Sequence, residues 1–298
     1  MLKLLWLKYL NYANARTLDR VRAAVHALLQ AQAATVPISL DNLVSDNQVE
    51  QLLAKGLSSY RHELDELRWW TRLRTAPNIY PDSGKYDWME GQILYLFIRM
   101  LKPGVVVEVS PYYGYSSGFM LLAMNANKCG RLYSIDLEDK YRRTARKIFQ
   151  RVGIDSSRQQ FVTGDVRRVY EQVLPERVDL LFMDADHSYG FAQWYLKNLY
   201  PRVAEGGLMH VHDVLRYGVK TYIGEEGEGR AIWEFLQQQQ IPEADYLYIS
   251  EFLQMQPAKP DIFKCLERYP FNDLRIGNNG LEQNTSLWLV KKSRHPRD

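Results

Sequence analysis

The sequence predicts an α/β protein: a doubly wound, mostly parallel sheet of seven strands with a helical extension at its N-terminus. Three observations predict it. Between residues 105 and 213, short apolar runs alternate with stretches of helical periodicity, the pattern of a parallel sheet with crossover helices. The runs are apolar almost throughout, as strands covered on both faces are. Acids gather where the runs end, at Asp136, Asp165, Asp184 and Asp213. In an open parallel sheet the carboxyl ends of neighbouring strands face one crevice, and ligands bind there.

Residues 1–75 read as helices. Leu18, Val21, Val25, Leu28 and Leu29 recur at helical spacing, and a turn-rich patch, Val36-Pro37-Ile38-Ser39, precedes a second periodic stretch over 49–73 with Leu52, Leu53, Leu57, Leu64 and Leu67. This extension carries no chemistry of its own and serves as a lid or as the surface of a homodimer. Pro77, Pro81 and Gly84 break the chain into a loop, so the boundary between extension (1–85) and sheet domain (86–292) falls there. A helix over 87–101 stops at Pro103-Gly104. Strand one is Val105-Val106-Val107-Glu108-Val109, followed by a loop and a helix over 117–127. Strand two, 132–136, ends in an acid. A basic helix over 140–152 ends at Gly153, the residue expected just past a helix. Strand three is 160–163, then Gly164-Asp165. Strand four is 178–183, and a helix over 191–199 leads through Pro201 and Gly206-Gly207 to strand five, which ends at His212-Asp213. Beyond it, 224–229 reads as a flexible acidic loop whose glutamates are exposed solubilising charge or, alternatively, close over the site or hold a substrate hydroxyl. A helix over 231–240, strands at 246–250 and 285–290, an insertion at about 254–284 and a disordered tail complete the chain.

Composition excludes several classes. A net charge of +3 with no Lys/Arg block argues against a nucleic-acid partner. The apolar start, residues 1–10, is interrupted by Lys3 and Lys8, too short and too charged for a signal peptide or membrane span. Two cysteines, Cys129 and Cys265, cannot make a disulfide framework, which suits a reducing, cytoplasmic setting.

The strand ends point to a nucleoside ligand. Asp136, after strand two, is placed to accept hydrogen bonds from both ribose hydroxyls. Asp165 is placed for the adenine edge. Glu108 reaches a cationic group of the ligand or orders the loop beside it, and Gly114 lets the backbone approach the ligand. The three-glycine signature of dinucleotide binders is missing from the first loop, which disfavours a nicotinamide oxidoreductase. Two further stretches, Asp184-Ala185-Asp186-His187-Ser188-Tyr189 and His210-Val211-His212-Asp213, follow strands four and five. Asp184, His212 and Asp213 converging there would make a divalent metal site. The structural alternative is that Asp184 caps the next helix while His212 and Asp213 form a turn pair.

Glu108-Val109-Ser110-Pro111-Tyr112-Tyr113-Gly114-Tyr115-Ser116, taken with Asp136, Gly164-Asp165 and the two acidic stretches in that order, resembles the class I S-adenosylmethionine (SAM)-dependent methyltransferases. The likeness is greatest to the metal-dependent catechol O-methyltransferase type and its small-molecule and sugar-modifying relatives. It runs from about residue 87 to 213, more weakly to 290, and leaves out 1–75. The resemblance implies a Rossmann-like sheet, a SAM pocket built by Glu108, Ser110, Tyr112, Gly114, Ser116, Asp136, Asp165, Val166 and Asp184, and a metal, usually magnesium, on Asp184, His212 and Asp213. It places His187 where the catechol enzymes carry a lysine general base, a role that suits an imidazole near neutrality, the alternative being a structural hydrogen bond to Asp186 or Tyr189. Two positions depart from the family. Ser110, followed by Pro111, stands where the family has glycine, and His212 stands where it most often has an acid, which shifts the metal preference toward a transition metal.

The implied reaction is methyl transfer to a small-molecule hydroxyl, with Asp184 and His187 as catalytic groups. The competing readings are a metal-independent enzyme working through an Asp184/His187 pair, and a non-catalytic SAM- or nucleotide-binding protein of the same fold.

Overall fold

A computed structural model describes residues 2–31, 56, 58–75, 86, 88–214, 227–241, 246–249 and 286–292. The sequence-predicted loop at 76–85, most of the acidic loop, the insertion at 254–284 and the end of the tail lie outside them.

The helices are α1 (Leu2–Gln30), α2 (Arg61–Thr75), α3 (Trp88–Leu101), α4 (Tyr115–Asn127), α5 (Asp139–Val152), α6 (Val166–Val173), α7 (Tyr189–Asn198) and α8 (Glu228–Gln238). The strands are β1 (Val105–Val109), β2 (Arg131–Asp136), β3 (Gln159–Thr163), β4 (Val178–Met183), β5 (Val203–Val211), β6 (Tyr246–Ile249) and β7 (Ser286–Val290). They form one seven-stranded sheet in the order β3-β2-β1-β4-β5-β7-β6. The first five run parallel, and β7 lies antiparallel to both β5 and β6. The chain winds outward from β1 through β2 to β3, then returns to β4 on the other side, so the switch point lies between β1 and β4. Register levels the ends there: Val109 is opposite both Ile135 and Met183, and Met183 is opposite Val211. Ser110, Asp136, Asp184 and His212 therefore emerge side by side.

The predicted strands recur within a residue or two except β5, which begins at Val203 in the structure. One helix was not anticipated. After β3 the structure has α6, whose Val166, Val169, Tyr170 and Val173 fall on one face; all four are packed against the core. Asp165 caps it, accepting from the backbone N–H of Arg167 at 3.0 Å. The helix after β5 also starts earlier than 231, at Glu228.

The N-terminal helices share the domain's core. Leu18, Val21, Val25 and Leu28 of α1 and Leu64, Leu67 and Trp70 of α2 are buried in the same apolar cluster as the sheet and α4. Trp70 is 1% exposed and donates from Nε1 to the Tyr115 carbonyl at 3.3 Å. It lies over Gly118 of α4, where a Cβ would come within 1.9 Å of its ring. Among the described residues, no helix is long and apolar enough to cross a membrane.

Candidate active site

The crevice at the switch point has a cofactor side and an acid-rich side. On the first, a cavity of about 200 Å³ is lined by Ser110, Asp136, Leu137, Asp165, Val166, Arg167 and Phe191 together with Ala185 and Asp186. Leu137 is 70% exposed, a large apolar side chain left facing solvent directly after the β2 acid. Asp136 Oδ2 accepts from the Tyr112 backbone N–H at 3.0 Å, and Oδ1 meets the Glu138 N–H at a longer 3.4 Å. Burial raises the Asp136 carboxyl, against these backbone donors. A larger groove of about 810 Å³ lies between α7, α8 and the end of β7, but none of the strand-end acids lines it. Volume alone does not locate the site.

The β1 loop is held in a costly shape. Ser110 has φ 67° and Tyr112 φ 49°, both in the left-handed region. An L-residue there costs roughly 1–2 kcal/mol, which glycine would avoid. Glu108 supports the loop from beneath. It is fully buried and accepts from Ser116 at 2.6 Å, Ser117 at 2.7 Å and Ser134 at 2.7 Å. Of its two sequence-predicted roles, these contacts serve the ordering of the loop. Ser116 is likewise committed to Glu108, and the Tyr112 ring packs at a tilt against Tyr113 and Tyr141. Gly114 has φ 81°, but a Cβ there would meet Ala145 at 2.8 Å and Phe149 at 2.9 Å. Its small size is thus required by the close approach of α5, not by a ligand. Asp165, predicted for the adenine edge, has both oxygens engaged by Arg167, at 3.0 Å (Oδ1) and 2.8 Å (Oδ2), which lowers its pKa.

On the acid-rich side, His212 is 1% exposed and sits between two carboxylates. Its Nδ1 is 3.0 Å from Asp184 Oδ1, and its Nε2 is 3.0 Å from Glu90 Oε2 on α3. Asp213 Oδ2 stands 3.8 Å from Nδ1. Burial opposes the imidazolium, but Asp184, Glu90 and Asp213 together outweigh it and hold His212 well above the ordinary histidine range. Asp184 answers in kind: burial would raise it, but His212 and then His187 hold it below the usual carboxylate value. Asp184 does not cap α7; the Ser188 hydroxyl does, accepting from the Phe191 N–H at 3.3 Å. Asp213 has φ 57°, and burial pushes its carboxyl up to about 6. Its Oδ1 is buried with no hydrogen-bond partner among the described residues.

The three sequence-predicted metal ligands do come together, but not as a metal set. An imidazole ligand offers a ring nitrogen free of its proton. Both nitrogens of His212 instead face carboxylate oxygens in hydrogen-bond geometry. Among the described residues, no group of three or more His, Cys, Asp or Glu is arranged to hold an ion. These residues do not fit a resident metal, and the substitution of histidine for the family's acid is the reason: the ring brings its own cation to where two carboxylates meet.

His187 lies beside this cluster, with Nε2 3.9 Å from Asp184 Oδ1 and Nδ1 2.7 Å from Glu228 Oε2. Glu228 belongs to the stretch read as exposed solubilising charge, yet it is 2% exposed. It also accepts from Tyr195 at 2.8 Å. Sequence reasoning missed Glu90 altogether, and of Glu228 it missed the burial and the bond to His187. The signal for both is an acid on an apolar helix face. Glu90 precedes Ile93, Leu94 and Phe97 by three, four and seven residues, and Glu228 precedes Ala231 and Ile232 by three and four.

Residues 107–214 match a family model described as a methyltransferase domain. A Mycobacterium sp. (strain KMS) protein to which an O-methyltransferase activity is assigned is 32% identical over 96 residues, 32% of this chain and 43% of that protein. A Mycobacterium leprae (strain Br4923) counterpart is 33% identical over 32% of this chain and 42% of its own length. The chain thus spans less than half the length of these curated relatives. Among solved structures, the O-methyltransferase from Bacillus cereus in complex with SAH aligns with TM-score 0.51 at 16% identity, over 85% of this chain and 100% of that one. A Klebsiella pneumoniae protein assigned as an O-methyltransferase aligns with TM-score 0.50 at 17% identity, over 81% of this chain and 98% of that one. The fold is that of the class I SAM-dependent methyltransferases.

Proposed function

We propose that this chain is a SAM-dependent methyltransferase that methylates a hydroxyl of a small molecule, with His187 as proton acceptor. One observation carries the reading. The cavity at the sheet's switch point is lined by Asp136, Leu137 and Ala185-Asp186, and the half-buried pair Asp184 and His187, 3.9 Å apart, flanks that last stretch on either side in the chain. A nucleoside cofactor and a base for its co-substrate are thus adjacent.

Bound SAM supplies an electrophilic methyl on its sulfonium sulfur. The rest is the chain's own chemistry. Asp136 Oδ1 receives the ribose hydroxyls, and Leu137 and Val166 offer apolar faces to the base. Nδ1 of His187 donates to Glu228, which leaves Nε2 to take the proton from the substrate hydroxyl. The carboxylate of Asp184 beside it stabilises the imidazolium that results. Asp213 Oδ1, the orphaned acceptor, is the natural partner for a second donor on the substrate. Positioning of oxygen, carbon and sulfur in line supplies much of the remaining rate. Burial works against protonation of His187, but Glu228 and Asp184 raise its pKa above the ordinary value. The neutral base is therefore populated only above that range, and kcat is expected to climb as pH rises past about 6.5.

Metal assistance, which the resemblance implies, is not part of this reading, because His212 fills the place with its own charge. The test is transfer of labelled methyl from SAM to a panel of phenols, sugars and alcohols, with SAM affinity measured by calorimetry. We expect micromolar-range SAM binding, transfer to at least one hydroxyl class, and full activity in chelator. No SAM binding would leave a non-catalytic protein of the same fold; activity abolished by chelator and restored by magnesium would return the metal to Asp184 and Asp213.

A further inference from the structure

We infer that Glu228, the first residue of α8, is the positioning residue that makes His187 a base, and that α8 is docked onto the site for this purpose. This rests on the reading of His187 as the proton acceptor.

Four contacts converge on one point. The Glu228 backbone N–H donates to the His187 carbonyl at 3.0 Å. Its side-chain Oε2 meets His187 Nδ1 at 2.7 Å. Its Oε1 accepts from the Tyr195 hydroxyl of α7 at 2.8 Å. The preceding Gly227 bridges to Ser188, the residue after His187. One residue thus grips His187 by backbone and ring together, and the ring cannot rotate without breaking the charge-assisted bond. The grip has a direction. With Nδ1 turned to Glu228, Nε2 is the nitrogen on the side of Asp184, 3.9 Å away.

A purely structural carboxylate would not be placed this way. Glu228 is 2% exposed, and its carboxylate oxygens meet His187 and Tyr195 rather than a Lys or Arg, so it is buried against burial's own penalty. A neutral side chain of the same shape would pack there at less cost. What a carboxylate alone adds is an acceptor that requires Nδ1 to carry its proton, fixing the tautomer with Nε2 bare. Tyr195 then holds the carboxylate's other oxygen, so that the acid cannot swing away.

The experiment compares Glu228→Gln, Glu228→Asp and Tyr195→Phe in the full chain, each checked by thermal melting. Glu228→Gln keeps volume and hydrogen-bonding capacity but allows its amide to donate to Nδ1. We expect it to lower kcat on the order of tenfold to a hundredfold, a share of the 10²–10⁴ that a positioned base contributes, with SAM affinity within about twofold of wild type. Glu228→Asp should recover part of the loss, and Tyr195→Phe should lose severalfold. The second readout is independent of turnover: ¹⁵N shifts of the His187 ring in labelled protein, assigned with His187→Asn. Wild type should show a protonated Nδ1 and a bare Nε2, and Glu228→Gln a shift toward the other tautomer. Unchanged kcat in Glu228→Gln, or a wild-type ring with Nδ1 bare, would overturn the inference. Absence of SAM binding and transfer in the wild type would instead defeat the functional reading, and the ring shifts would still decide whether Glu228 sets the tautomer.

Discussion

Two buried charge clusters, built from the same kinds of residue, differ in whether they are finished. The first ties α2 to α3. Arg99, fully buried, donates from Nε at 2.7 Å and from NH2 at 2.7 Å to the two oxygens of Glu63. Tyr95 donates to the same carboxylate, Asn127 accepts from Arg99, and the Tyr60 ring lies under the guanidinium at 5.1 Å. One cation meets one anion, bidentately, with neutral groups on the remaining sites. The second cluster is the crevice. There Glu90, Asp184, Asp213 and Glu228 share two imidazoles, and Asp213 Oδ1 has no partner among the described residues. The first has nothing left to bind and serves the fold. The second carries excess acid and an open acceptor, as a group built around an absent ligand does.

The comparison is broken most severely at Arg99. Arg99→Ala leaves the Glu63 carboxylate buried and uncompensated, which costs roughly 3–5 kcal/mol. Denaturant unfolding should show a loss of that size. SAM affinity, measured where the variant is still folded, should hold within about twofold, because no residue of the tie lines the crevice. A parallel loss of binding and stability would mean the two clusters are one unit.

The next difference is in pH. Arg99 and Tyr95 both sit above their already high ordinary values, the first through Glu63 and Tyr95 against burial, the second through burial and Glu63. Neither titrates between pH 5 and 8, so the tie is silent there. The crevice is not. The Asp213 carboxyl is raised by burial from 3.8 to about 6, so the folded state holds that proton more tightly than the unfolded chain does. Stability from it is present below pH 3.8 and is lost as pH rises through 6, by about 3 kcal/mol at most. His212, raised by its carboxylates, adds a loss of the same sign at higher pH. Asp184, lowered, loses its contribution only as pH falls below 3.8. Unfolding free energy should therefore decline from pH 4 toward 7, and Asp213→Asn should flatten the part of that slope between 4 and 6.

How much of this was legible follows from the range of each signal. Strands β1 to β4 were readable to within a residue because apolar runs and their terminal acids are local. Helix α6 was not, because Asp165 was assigned to a ligand when its nearest use was to cap the chain just beyond it. Asp184, His187, His212 and Asp213 were legible as residues and as a cluster. Their partners were not: Glu90 lies 122 residues from His212 and Glu228 lies 41 from His187. Neither sits in a motif. What marks them is an acid on an apolar helix stripe, and Glu63, four residues before the buried Leu67 and seven before the buried Trp70, carries the same mark in the structural tie. The stripe rule finds buried acids but does not say which of them belong to a fold and which to a site.

A smaller effect separates packing from chemistry at the joint between extension and domain. A Cβ on Gly118 would sit 1.9 Å from the Trp70 ring. Gly118→Ala should cost about 1–3 kcal/mol by overpacking, read as a fall in melting temperature. Trp70→Phe in the same chain should restore part of it by withdrawing the indole. Restoration of the melting temperature without change in kcat would place the α2–α4 contact with the tie rather than with the crevice.

The smallest effect lies on the cofactor side of the crevice itself. Ser110 holds φ 67° with its N–H bonded to the Ile135 carbonyl at 2.8 Å, so the strained conformation is fixed by the sheet and not by the serine. Ser110→Gly removes a steric cost of roughly 1–2 kcal/mol and gives back part of it in the entropy of the unfolded chain. The net expectation is a gain of about 1 kcal/mol or less, a rise in melting temperature of roughly 2 °C. If Ser110 were only a tolerated departure from glycine, SAM affinity would be unchanged or tighter. If the hydroxyl of Ser110, a residue that lines the cavity, donates to the cofactor, the stability gain would come with weaker SAM binding. A variant that stabilises the fold while loosening its ligand would show that strain at the strand end is retained for the site, and the crevice would differ from the Arg99 tie in backbone as well as in charge.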